Sequence, residues 1–195
     1  MFQKISRFME QNVWSGPRYD HIADAISSYL ESGSTILDLG CSSGGLAKKL
    51  HEKDNSLSFI GVDTHIQPNT QIPVAQYDGY HLPFKDNSFD ISMLVDVLHH
   101  DTEPEKIIAE AKRVAKKVVI KDHYYDSKIG FEMLKVSDYL GNKAQGIALP
   151  YNFLTMNEWY GLFDQQGLRV CAEEKFRFNL FDICKHVVFE LEPIR

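Results

Sequence analysis

Six consecutive residues, Gly40, Cys41, Ser42, Ser43, Gly44 and Gly45, constrain this 195-residue chain more than any other stretch. They follow the largely apolar run Thr35, Ile36, Leu37, Asp38, Leu39 and precede a segment carrying Leu46, Ala47 and Leu50 at helical spacing. A turn this rich in glycine reaches backbone conformations closed to other residues and can come close to a ligand. A helix beginning there aims its unpaired N–H groups at whatever sits on the turn. The reading is therefore strand, tight turn, helix, the unit that opens many α/β folds and suits a nucleotide-like ligand.

The same alternation continues downstream. Residues 57–62 read as a second apolar strand ending at Asp63, residues 74–77 as a short third ending at Asp78 and Gly79, residues 89–95 as a buried fourth, and residues 117–120 as a fifth. Residues 104–115 read as a helix with proline near its first turn. Before the first strand, residues 19–30 place Ile22, Ala25, Ile26 and Leu30 on one helical face, and Ser32, Gly33 and Ser34 end the pattern. Such alternation predicts an α/β fold with a doubly wound, mainly parallel, Rossmann-like sheet. Two closing apolar runs, 168–178 and 186–191, are joined closely enough to form an antiparallel C-terminal pair, bringing the sheet to about seven strands.

The rhythm breaks over residues 127–153, longer than an ordinary connection and rich in Tyr, Phe, Leu and Gly. This is read as an inserted, lid-like segment whose Phe131, Met133, Leu134, Tyr139, Tyr151 and Phe153 offer apolar walls, while Asp138 and Asn142 orient a polar group. Thr155 and Glu158 have the spacing of a helix capping box. No repeat or linker interrupts the chain, so 1–195 is expected to be a single domain with an N-terminal helical cap, 1–33.

A net charge of −6 and a sequence pI near 5.7, with no basic and aromatic interleaving, argue against a nucleic-acid partner. Lys112, Arg113, Lys116 and Lys117 read as the solvated end of a helix. Three scattered cysteines, Cys41, Cys171 and Cys184, give neither a disulfide framework nor a zinc pattern and fit a reducing cytoplasm. The first residues lack the apolar core of a signal peptide, and no run is long enough for a membrane span. A monomer or homodimer acting on a small molecule is the expectation.

The turn alone is shared by several nucleotide-binding folds. The string YDGYHLPFKDNSFDISMLVDVLHH, Tyr77 to His100, narrows the choice: it resembles the corresponding segment of class I S-adenosylmethionine-dependent methyltransferases of the ubiquinone and menaquinone type. The resemblance covers about residues 36–123. It implies a cofactor site made by Asp38, Gly40, Ser42 and Gly44, with Ser42 standing where the family usually has a glycine. By the same resemblance Asp63 binds the ribose, Asp78 accepts from the adenine amino group, the Gly79 amide faces the ring, and Val95 and Asp96 flank the methionine part. The methyl donor is then S-adenosyl-L-methionine and the acceptor a small, apolar or aromatic molecule.

Within that frame some roles stay open. A carboxylate inside an apolar strand needs partners, so Asp38 accepts either from the turn amides or from the cofactor. Trp14, Arg18 and Tyr19 precede the first core helix, and Arg18 either pairs with the cofactor carboxylate or lies on the surface. His123, delivered by the fifth strand to the same rim, and His99 are the candidate catalytic residues. His99, His100, Asp101, Glu103, Asp122 and His123 have metal-ligating chemistry, but adjacent histidines seldom face one centre, so no metal is expected. Two other readings survive: a cofactor-binding protein without turnover, and a nicotinamide-dependent oxidoreductase, which is disfavoured by the lack of a Tyr-x-x-x-Lys pair and of a second domain.

Overall fold

The computed structural model describes residues 15–142, 148–179 and 182–194. In chain order the elements are α1 (Ser15–Ser27), β1 (Thr35–Leu39), α2 (Gly45–Lys53), β2 (Ser58–Asp63), β3 (Val74–Gln76), β4 (Phe89–Val95), a single 3-10 turn (Leu98–His100), α3 (Pro104–Val114), β5 (Ala115–Tyr124), α4 (Lys128–Asn142), α5 (Met156–Gln165), β6 (Leu168–Phe176) and β7 (Lys185–Pro193). The seven strands form one sheet in the order β3-β2-β1-β4-β5-β7-β6. The first five pair in parallel; β7 runs antiparallel to β5 and to β6. Among the described residues no helix is long and apolar enough to cross a membrane.

Side chains alternate across the strands, so one sheet serves two cores. On one face Leu37, Leu39, Leu94, Val118 and Ile120 pack with Ile107, Ile108 and Ala111 of α3 and with Trp159 and Phe163 of α5. On the other, Ile36, Ile91, Met93, Val119 and Val188 pack with Ile22 and Ile26 of α1 and with Leu46, Ala47 and Leu50 of α2. Burial on both faces explains why these strands read as continuous apolar runs.

Several boundaries differ from those expected, each for a local reason. α1 ends at Ser27 and not Leu30, because Tyr29 and Leu30 donate to the carbonyls of Ile26 and Ser27 in a closing turn that still buries Leu30. β5 is longer than 117–120: it leaves α3 without a loop, Val114 and Ala115 both being fully buried, and extends through Tyr124. β6 stops at Phe176. Most of the long segment after β5 is helix, α4, and the remainder leads to α5, where Thr155 and Glu158 do close a capping box. The basic stretch is tied down: Arg113 donates to Glu110, Asp86 and the Phe84 carbonyl, Lys116 pairs with Asp90, and Lys117 with Glu31 and Glu190.

Candidate active site

The glycine turn sits where β1 ends, between β2 and β4. Gly40 and Gly44 have φ of 70° and 76°, in the left-handed region. A Cβ on Gly40 would lie 2.6 Å from Val97 Cγ2, and one on Gly44 would collide with the Ile72 side chain, so both positions exclude larger residues. Ser42 also has a positive φ, 51°, which gives a backbone reason for the glycine usual at this place and means that Ser42 is held under strain. Gly40 N–H donates to the Val62 carbonyl at 2.8 Å, stitching the turn to the end of β2.

Two carboxylates meet here. Asp63 Oδ2 accepts from the Ser42 amide at 2.7 Å and its Oδ1 from the His65 amide at 3.0 Å, so Asp63 shapes the turn as well as ending β2. Asp38 is 4% exposed; burial, and then the charge of Asp63, pushes its carboxyl up to about 8. Burial thus favours the protonated form of Asp38. One connection further, Asp78 Oδ1 accepts from the amides of Tyr80 and His81 while its Oδ2 lies 2.7 Å from His81 Nδ1. These bonds hold the Asp78 carboxyl below the usual carboxylate range.

At the ends of β4 and β5 the polar side chains form a second group. Asp96 adopts φ 56°, in the left-handed region that aspartate enters more readily than most residues with a side chain. Two cations hold its carboxylate: Arg18 Nη2 at 2.7 Å and the fully buried Lys121 Nζ at 2.6 Å. Burial would lift the Asp96 carboxyl, but Lys121 and Arg18 outweigh it and keep it well below its ordinary range. His123 lies beside them, Nδ1 3.4 Å from Asp96 Oδ1, and burial with the charge of Lys121 pushes it down to about 3. Across from it His99 Nδ1 is 2.5 Å from Asp122 Oδ1. His186, opposite His123 in the β5–β7 register, is held by Asp182 at 3.0 Å and stacks on Phe176.

The 3-10 turn also brings His100 round to the side of His99, with ring centroids 4.1 Å apart. Both rings face Asp138 of α4, His99 Nε2 at 3.9 Å and His100 Nε2 at 3.8 Å from its Oδ1. The expectation that adjacent histidines would diverge is thus corrected: a tight 3-10 turn, unlike an extended strand, lets neighbours share a side.

Residues 37–119, which run from β1 across the turn into β5, match the family described as Methyltransferase domain. S-adenosylmethionine is the cofactor that this similarity implies. A ubiquinone/menaquinone biosynthesis C-methyltransferase of Cupriavidus pinatubonensis is 29% identical over 145 residues, covering 63% of this chain and 58% of that protein. The chain therefore spans somewhat over half the length of that curated relative. In fold it is similar to a chain of the complex between the Haloferax volcanii Trm112 methyltransferase activator and a methyltransferase, with TM-score 0.70 and 17% identity over 100% of this chain and 95% of the other. It is also similar to a Thermotoga maritima S-adenosylmethionine-dependent methyltransferase described as a possible histamine N-methyltransferase, with TM-score 0.66 and 21% identity over 98% and 99%.

The residues named from the sequence fall into two groups. Asp38, Gly40, Ser42, Gly44 and Asp63 surround one turn, with Asp78 and Gly79 following β3. Val95, Asp96, Arg18, His99 and His123 gather at the ends of β4 and β5. Arg18 is neither free nor simply superficial, since it closes on Asp96. Trp14 lies outside the described residues. Sequence reasoning missed Lys121 and the pair Asp182–His186 as members of this polar cluster. The available signal was Lys121, Asp122 and His123 following Val118, Val119 and Ile120 with no turn residue between, which is how a buried strand carries charge to its carboxyl end.

Proposed function

We propose that the protein transfers a methyl group from S-adenosylmethionine to a small molecule bound between the ends of β4 and β5 and the helix α4. The observation that carries this reading is the juxtaposition of the Gly40–Gly44 turn, flanked by Asp38 and Asp63, with the enclosed group Asp96, Lys121, Asp122 and His123 at neighbouring strand ends. Ligands of open α/β sheets lie at such carboxyl ends. In this reading Asp63 holds the ribose, Asp78 and the Gly79 amide receive the adenine, and Val95, Asp96 and Arg18 border the methionine part. Asp38, beside the turn, would pair with a cationic part of the cofactor.

Methyl transfer from a sulfonium needs the acceptor in line and water kept out. His123 is suited to orient the acceptor as a neutral hydrogen-bonding group, since a ring held down near 3 stays uncharged at pH 7. His99, fixed by Asp122, would stand on the opposite wall. The helix α4 serves as the lid. On its inner side Leu134 packs with Phe131, Tyr151 and Phe153, which supports an apolar or aromatic acceptor.

Isothermal titration with S-adenosylmethionine, S-adenosylhomocysteine and NAD tests the cofactor, and release of S-adenosylhomocysteine across a panel of phenolic and other aromatic molecules tests turnover. Tight binding of the two sulfur nucleotides with acceptor-dependent product is expected. Binding of NAD alone would overturn the reading, and binding without any product would leave a cofactor-binding protein.

A further inference from the structure

We propose that His99, His100 and Asp138 form a binding site for one divalent transition-metal ion of the zinc type, which clips helix α4 to the carboxyl end of the sheet.

His99 Nδ1 lies 2.5 Å from a carboxylate oxygen of Asp122, which can only accept, so the ring hydrogen sits on Nδ1. His100 Nδ1 lies 3.2 Å from the Ala148 carbonyl oxygen, which likewise only accepts. Nε2 of each ring is therefore the nitrogen left for an ion. The two Nε2 atoms converge on the Asp138 carboxylate at 3.9 and 3.8 Å, and the three ligand atoms lie within 4.8 Å of one another. Burial disfavours a charged His99, but Asp122 outweighs it and favours a second proton on that ring, so a metal ion binds here in exchange for that proton.

The separations suit an ion better than a direct bond. They exceed hydrogen-bond reach, and they are a few tenths of an ångström wider than the ~3.4 Å that tetrahedral bonds of about 2.1 Å would set between ligands. Asp138 is 7% exposed, and its Oδ2 is buried without a partner, although Asn142 Nδ2 donates to Oδ1 at 2.6 Å. Among the described residues neither Asp122 nor Asp138 has a lysine or arginine within ion-pair distance; their ionic partners are histidines. Two buried carboxylates with no fixed cation call for positive charge.

The surrounding bonds are those a metal site uses. Asp122 orients His99, the Ala148 carbonyl orients His100, and Asn142 orients Asp138, as outer groups do around metal ligands. Two imidazoles and one carboxylate select zinc, iron(II), nickel or manganese over magnesium and calcium, and three protein ligands leave a position open. The neighbouring set Asp96, His99, Asp122 and His123 is a poorer candidate, because Lys121 and Arg18 already neutralise Asp96 and would repel an ion.

The test is titration of the chelator-treated full chain with zinc, read by calorimetry and by long-range ¹H–¹⁵N spectra of the histidine rings. One zinc per chain is expected, with the Nε2 resonances of two rings shifted at one equivalent. His100→Ala and Asp138→Asn should each weaken zinc at least tenfold, and His81→Ala, on the exposed loop after β3, should not. Cobalt(II) should give visible bands in the wild type that zinc displaces. The ring spectra need no variant, so the proposal stands or falls even if a substituted chain does not fold. No ring shift at one equivalent of zinc would overturn it, as would binding undiminished in folded His100→Ala and Asp138→Asn. Either outcome would leave a proton as the cation in the cluster.

Discussion

Asp38→Asn in the cofactor-free protein probes the turn most directly. The Asp38 carboxyl is raised by burial and by Asp63 from an ordinary 3.8 to about 8, so between these values the folded chain holds a proton that the unfolded chain has lost. The folded state binds more protons in that window, so stability falls as pH rises through it and is flat on either side. At pH 7 the protonation costs about 4 kcal/mol, a little over three pH units at ~1.4 kcal/mol each. Asparagine is neutral and nearly the same shape, and carries no such cost. Allowing ~1–2 kcal/mol for an amide that matches the site less well, Asp38→Asn should stabilise the empty protein by about 2–3 kcal/mol at pH 7. Urea unfolding of both chains at pH 5, 6, 7 and 8 reads the effect, since all other titrating groups are common to the two. The gap should widen by ~1.4 kcal/mol per pH unit and level off above pH 8. A gap that stays constant over this range, or a variant less stable at every pH, would refute the reasoning and show an ionised Asp38 accepting from the turn amides.

Three further outcomes follow from the same site. Asp63→Ala should weaken S-adenosylmethionine and S-adenosylhomocysteine by about 1.5–3 kcal/mol in calorimetry, through lost charge-assisted bonds, and unchanged affinity would remove Asp63 from the site. Ser42→Gly, at φ 51°, should raise the thermal midpoint by relieving ~0.5–1 kcal/mol of backbone strain, whereas a lower midpoint would show that the serine side chain matters more than its backbone. Tyr139→Ala and Tyr151→Ala should reduce turnover with little change in cofactor affinity, and normal turnover in both, with α4 equally protected from hydrogen exchange in every state, would end its role as a lid.

The alternation of strands and helices, and the glycines and carboxylates that follow the strands, were legible because they rest on short-range signals. Gly40, Gly44, Asp63 and Asp78 stand at strand ends that hydrophobic periodicity alone marks out. Less was legible where tertiary pairing decides. β7 enters the sheet between β5 and β6, so His186 arrives beside His123 across 63 residues, a proximity no local pattern encodes. Asp138 looked like one polar residue in an apolar segment; only the packing of α4 over the 3-10 turn gives it His99 and His100 as neighbours. The end of β5 was hidden for a related reason. The apolar run stopped at Ile120, yet Lys121 and Asp122 continue the strand and are fully buried, kept there by Asp96 and His99 from other elements.

The placement of β7 also governs how the protein comes into being. Val118 through Tyr124, the segment that carries Lys121, Asp122 and His123, pairs on its outer side with residues 185–191. During synthesis β5 emerges more than sixty residues before that partner, and in the interval it presents an unpaired edge beside a half-assembled polar cluster. A nascent chain can close the nucleotide turn early, since β1, α2 and β2 are contiguous, but it cannot finish the acceptor side. Chaperone protection, or a pause that delivers β7 promptly, would matter most in that interval, and a chain cut near residue 180 should aggregate through β5 and not persist as a smaller soluble binder of the cofactor.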